Sequence, residues 1–143
     1  MVHIDVLYEG DLHTTCRHGP SDATLATDAP VDNEGRGESF SPTDLLATAL
    51  GSCMLTVMGI VARRKGWKLE GARARVEKEM VTAPARRVGR LRVEFALPCL
   101  PSEARPVLER AAHTCPVHHS LHPDVDVETV FVWAEEDATQ PRP

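Results

Sequence analysis

The sequence predicts an α+β fold with an antiparallel sheet, and three observations predict it. Residues 45–62 carry no charged side chain and form one long apolar helix. Alternating segments lie on both sides of it, at residues 2–8 and 91–97. A second helical pattern near residues 102–115 is followed by a valine-rich segment, Val125, Val127, Val130 and Val132. The order is therefore strands, helix, two strands, helix, strand, the pattern of α+β domains.

Composition bounds the problem. A chain of 143 residues is the usual size of a single domain, here 1–143, with residues 135–143 expected to fray. Hydrophobic residues at 42% and charged residues at 26% are ordinary for a globular chain. Aromatics are only 4%, so the core must be built from Leu, Val, Ala and Met. A net charge of −5 and a pI near 5.8 argue against general nucleic-acid binding, which needs a basic face. Met1–Asp5 shows no positive region followed by an apolar stretch, so a cytoplasmic location is expected. Cys16, Cys53, Cys99 and Cys115 are then expected as free thiols, and none forms a C-x-x-C motif.

Val2, Ile4, Val6 and Tyr8 share one parity and predict the first strand. Residues 14–18 and 23–27 predict two more, around the turn His18-Gly19-Pro20-Ser21. Residues 28–39 carry Pro30, Asp32, Asn33, Gly35 and Gly37 and read as a loop of functional length. Ser41-Pro42-Thr43-Asp44 is a helix start, with Ser41 as N-cap, Pro42 at the first helical position and Asp44 completing a capping box. Arg63-Arg64-Lys65-Gly66 supplies cations and a glycine to end it.

The helix is apolar nearly all round and should be buried on nearly all sides. A membrane span needs about 20 apolar residues with interfacial anchors. This run contains Thr48, Gly51, Ser52, Thr56 and Gly59 and lacks an aromatic belt, so a central helix is expected and no membrane partner. A domain this small has difficulty surrounding a helix, which favours a dimer.

Residues 67–80 predict a strand with a charged face, Arg73 to Glu79, and residues 91–97 alternate cleanly. The two form a hairpin with a basic tip at Arg86, Arg87 and Arg90. Pro98 and Pro101 end it, and Ser102-Glu103 opens the second helix. That helix should stop near Cys115, because Pro116 disfavours helical geometry at the residue before it.

Two cysteines stand out as candidates. A cysteine inside an apolar helix is commonly a small, inert core residue. Cys53, however, follows the small residues Gly51 and Ser52, which leave room for a substrate. Arg36-Gly37-Glu38 lies just before the helix, and an arginine beside a thiol stabilises the thiolate nucleophile. Cys115 sits at a helix end; Cys16 and Cys99 read as packing or incidental residues. The run Cys115-Pro116-Val117-His118-His119-Ser120-Leu121-His122, with His113, invites a metal reading, but its crowded spacing matches no common zinc site, so no metal is expected.

At Ser41-Pro42-Thr43-Asp44-Leu45, Ala49-Leu50-Gly51-Ser52-Cys53 and His113-Thr114-Cys115-Pro116-Val117, the chain resembles the OsmC/Ohr family, the osmotically inducible and organic hydroperoxide resistance proteins. The resemblance implies an OsmC-like fold and an intertwined homodimer with the apolar helices at its centre. It implies a thiol-dependent peroxidase for organic hydroperoxides in oxidative-stress defence. Cys53 matches the reactive cysteine and Cys115 the resolving one, joined as a Cys53–Cys115 disulfide that a dithiol or lipoyl-type reductant reopens. No cofactor is implied. Arg36 is the candidate activating arginine with Glu38 as its partner, and Arg17 is the runner-up. Strongly active members carry a glutamate directly after the proline that opens the helix, where this chain has Thr43. That departure leaves an alternative open: a non-enzymatic dimer that senses oxidation or binds a small apolar ligand.

Overall fold

The computed structural model of the chain describes residues 1–136. It divides into two compact units, Met1–Leu46 and Ala47–Pro143. The expected tail lies mostly outside the described residues.

The first unit is an antiparallel meander of β1 (Ile4–Gly10), β2 (His13–His18) and β3 (Thr24–Asp28). Asp11 and Leu12 make the β1–β2 turn, both at positive φ. A single 3-10 turn, Val31–Asn33, interrupts the loop that follows β3. The loop is pinned where it leaves the sheet and where it ends: Ala29 donates its amide to the Leu12 carbonyl at 3.1 Å, and Asp28 donates to Phe40 at 3.1 Å.

Helix α1 (Pro42–Lys65) starts as the sequence predicts. The Ser41 amide donates to the Asp44 carboxylate at 2.9 Å, and the Asp44 amide donates to Ser41 Oγ at 3.1 Å, a reciprocal capping box. It ends on Gly66 at φ +74, with Trp67 N–H on the Ala62 carbonyl at 2.9 Å and Gly66 N–H on Arg63 at 3.3 Å. These two bonds are the Schellman pattern, which needs a residue free to take positive φ.

The second unit holds β4 (Arg73–Val81), β5 (Arg87–Leu97), α2 (Ala104–Ala112), α3 (Pro116–Ser120) and β6 (Asp126–Trp133). The α+β architecture stands, with two differences from a single antiparallel sheet. Among the described residues there are two three-stranded sheets, and β5 pairs with β6 in parallel. The cause is the connection: α2 and α3 carry the chain back across the sheet, as a parallel pair requires. The strand expected from residue 67 begins only at Arg73, and β5 starts at Arg87, so the hairpin tip is shorter than expected. At that tip the register shifts between Glu79 and Met80. A bulge there lets Val88 and Leu91 both face inward although they stand three positions apart, a spacing that in a regular strand puts side chains on opposite faces. Gly89 sits at the bulge, where a Cβ would fall 2.4 Å from Val81.

The core gathers Leu91, Val93, Phe95 and Leu97 of β5 against Leu50, Met54 and Met58 of α1 and Leu108 and Ala112 of α2. Phe95 stacks on Phe131, its register partner on β6, with ring centroids 4.9 Å apart. The opposite face of the sheet carries charge. Arg90 pairs with Glu79, Asp126 and Glu128, and Arg92 with Glu77, Glu94 and Glu128.

Helix α1 is not buried on nearly all sides within the chain. Its buried stripe is Ala47, Leu50, Gly51, Met54, Met58 and Ala62, while Leu46 and Ile60 are each 37% exposed. The reason is geometric, because one sheet can cover only one face of a helix. Among the described residues α1 alone is long and apolar enough to cross a membrane, but that stripe packs into the core.

Candidate functional site

Cys53 lies at mid-length in α1, half-buried, two residues after Gly51. Gly51 brings the helix close to β4: a Cβ there would fall 2.7 Å from Val76 Cγ2. The glycine thus fixes how near the Cys53 turn lies to the sheet.

Cys115 is positioned by a device the sequence reading missed. The helix expected to run to residue 115 stops at Ala112, and a short helix, α3, begins at Pro116. Cys115 is its N-cap, extended at φ −66 and ψ 135, with Pro116 at the first helical position. Its Sγ accepts the His118 amide at 3.2 Å. The signal in the sequence is Cys115-Pro116 itself, since a proline that disfavours helix at the residue before it also suits the first position of a new helix. The side chain is fully buried, at 0% exposure, in the same core as Phe95 and Leu108.

The two predicted cysteines meet. Cys53 and Cys115 are free thiols, Cys53 packs against the core cluster that holds Cys115, and it stands near enough to act on the Cys115 thiol. Burial pushes the Cys115 thiol above its ordinary value of 9.0, and the neighbouring Cys53 pushes it further. The backbone amides of His118 and Val117 act in the opposite direction. Cys115 is therefore held as the neutral thiol. The folded value lies above the unfolded one, so the stability this thiol contributes is complete below pH 9.0 and lost as pH rises through the raised value. Ultraviolet thiolate titration of a Cys16→Ser/Cys99→Ser protein should show one thiol ionising on the alkaline side of 9.0, absent when Cys115→Ser is added. Complete ionisation of both thiols below that value would contradict the assignment.

Arg36 and Glu38 lie in the first unit. Arg36 is exposed and pairs with Asp11 at 3.4 Å, not with Glu38 as expected. The β1–β2 turn carries the Asp11 carboxylate to the guanidinium. Glu38 lines the same cleft, about 250 Å³, with Glu9, His13 and Asp28. There His13 Nδ1 meets the buried Asp28 carboxylate at 2.6 Å, and this hydrogen bond raises the imidazole above its usual 6.5. Arg17, the runner-up, is tied to Asp5 at 3.0 Å and to Asp22. Thr43 meets Ser41 Oγ at 3.2 Å, and Asp44 is engaged in the capping box.

The histidines near Cys115 do not converge. The His113 and His118 rings are 6.0 Å apart, as are those of His118 and His119. Among the described residues no three His, Cys, Asp or Glu side chains are grouped as a metal site. His113 instead meets Thr129 Oγ1 at 3.2 Å and sets its ring edge on Phe131.

The α+β core thus holds a helix cysteine, Cys53, near the cysteine that caps α3, Cys115. Residues 35–130 match the model of the OsmC-like protein family, and the chain belongs to that family. A solved structure from Psychrobacter arcticus, provisionally named an osmotic stress induced and detoxification response protein, is 43% identical, with a TM-score of 0.88 over 92% of this chain and 96% of that one. An organic hydroperoxide resistance protein OsmC from Legionella pneumophila is 17% identical, with a TM-score of 0.75 over 92% of this chain and 96% of that one. The organic hydroperoxide resistance protein OhrB of Bacillus subtilis is 14% identical, with a TM-score of 0.67 over 92% and 98%. At those two identities the likeness is one of fold alone. No curated protein matches the chain.

Proposed function

We propose that the chain is a thiol-dependent peroxidase that reduces organic hydroperoxides. The observation that carries this reading is the proximity of Cys53 and Cys115 in one core cluster, one half-buried and one buried. The family supports it, because relatives of this fold are named organic hydroperoxide resistance proteins.

The Cys53 thiolate attacks the terminal peroxide oxygen, the O–O bond breaks, and the alcohol leaves with a proton. Cys53 becomes a sulfenic acid. Cys115 gives up its proton as it attacks that sulfur, the sulfenic hydroxyl leaves with that proton as water, and the disulfide closes. An external dithiol, lipoyl-type or other, then restores both thiols. Arg36 is the guanidinium proposed to favour the thiolate, with Asp11 as its tether. A homodimer fits the same reading: Ile4, Val6, Leu7 and Tyr8 on β1 and Ile60 on α1 are large apolar side chains left exposed by the single chain.

One equivalent of cumene hydroperoxide, followed by alkylation and peptide mass spectrometry, should yield a Cys53–Cys115 disulfide. Over-oxidation of Cys53 with Cys115 still alkylated would contradict the two-cysteine cycle.

A further inference from the structure

Cys115 serves two structures with one sulfur atom. As the N-cap of α3, its Sγ accepts the His118 amide at 3.2 Å, one of the donors that a helix start leaves unpaired. As a member of the thiol pair, the same sulfur must close on Cys53. Bonded sulfurs stand about 2.05 Å apart, well inside the contact distance of two free thiols, so at least one of the two must move. Cys53 is poorly placed to do so. It sits at mid-length in the 24 residues of α1, beside the buried Gly51 and Met54. Cys115 stands between α2 and α3, extended at ψ 135, and its own amide reaches the Ala112 carbonyl only at 3.4 Å, beyond the usual hydrogen-bond range. The junction is the softer side, so the sulfur that moves is the one that caps α3. A shift of about 1 Å takes a 3.2 Å contact past hydrogen-bonding distance.

We propose that α3 is a redox-sensitive element: closure of the Cys53–Cys115 disulfide draws Cys115 Sγ off the His118 amide and uncaps the helix, and reduction restores the cap. The proposal rests on the two-cysteine cycle above. As the S–S bond forms, the two thiols give up both protons and two electrons to the hydroperoxide, which becomes alcohol and water. A dithiol returns the protons and electrons on reduction. Helix α3 has five residues, Pro116–Ser120, too few to hold a helix without support. Its supports are the Cys115 cap, Pro116 at the first position, and Val117 and Leu121 packed against the core. With the cap gone the His118 amide turns to water, and residues 116–121 loosen. The coupling is reciprocal, because a bond present only in the dithiol form stabilises that form by as much as its loss loosens the helix. The cap therefore biases the pair toward the reduced state that meets peroxide.

The test uses the full chain carrying Cys16→Ser/Cys99→Ser, so that only the pair can be oxidised. Its disulfide is made with diamide, which takes up the two electrons and both protons, so no peroxidase turnover is needed. Solvent exchange of the His118 amide is followed by NMR in the reduced and the oxidised protein. Comparing the two forms of one protein reads the hydrogen bond itself, whichever surfaces a second subunit covers. The His118 amide is expected to exchange about fivefold faster or more once the disulfide has formed, the effect of a lost N-cap. In Cys115→Ser a hydroxyl caps in place of the sulfur and no pair can form, so diamide should leave His118 slow. In Cys115→Ala, which has no cap, His118 should exchange at the fast rate without any oxidant. Equal exchange in the reduced and oxidised pair, or a slow His118 amide in Cys115→Ala, overturns the proposal. Absence of the disulfide after hydroperoxide, with the diamide disulfide still speeding His118, overturns the peroxidase reading and leaves this one standing. Absence of the disulfide after both oxidants overturns both.

Discussion

Cys53→Ser protein is expected to lose hydroperoxide turnover by on the order of 10³-fold or more, since no other group in the proposed cycle can take the peroxide oxygen. Cys115→Ser should differ in kind. Its first encounter with peroxide should proceed, consuming about one equivalent and leaving a Cys53 sulfenic acid that dimedone traps, and then stall with slow reductants. The two variants separate the roles that the structure suggests. Cys53 is the more accessible sulfur, and Cys115 is buried and capped by the His118 amide. The measurement is consumption of cumene hydroperoxide with excess dithiol, beside a single-turnover trap. Wild-type turnover in Cys53→Ser would remove the proposed function. Loss of the first equivalent in Cys115→Ser would move the nucleophile to the buried sulfur. Both substitutions exchange sulfur for oxygen and keep nearly the same volume, so a change in fold is a small part of the expected effect.

What the sequence made legible follows a physical division. Local chemistry was readable: the Ser41/Asp44 capping box and the Gly66 stop need only neighbouring residues, and both form as their spacing requires. Alternation on β5 was readable because its inward side chains contrast with Arg92 and Glu94. The approach of Cys53 to Cys115 was not derivable from their separation of many residues; only the family resemblance pointed to it. The parallel pairing of β5 with β6 depends on the path through α2 and α3, and α3 was missed because Pro116 marks both a stop and a start. Arg36 is a case of the opposite kind. Sequence proximity suggested Glu38 as its partner, whereas the β1–β2 turn delivers Asp11, a residue far away in the chain. An ion pair of exposed side chains carries little pattern in sequence, because nothing apolar constrains where its members stand.

Phe95→Ala should produce the largest loss of stability, about 3–5 kcal/mol, and a fall in Tm of roughly 10 °C or more. Phe95 is the largest fully buried side chain and stacks on Phe131 at 4.9 Å. Few aromatic side chains are present, so no neighbour can swing in to fill the space, and the surrounding Leu and Val residues can collapse only in part. Val132→Ala, on the same sheet but 52% exposed, is the control and should cost less than about 0.5 kcal/mol. Thermal melts of the two variants test the assignment, and equal Tm values would contradict it. The consequence for the site follows from contact. Phe131 carries the His113 ring edge, and His113 lies two residues before Cys115. Loosening the Phe95–Phe131 stack should therefore slow disulfide closure, the step that needs Cys115 held against Cys53, more than it slows the attack of Cys53 on peroxide. Single-turnover kinetics at low temperature, where the variant stays folded, would separate the two steps. Equal slowing of both would mean that the core supports the pair only through global stability.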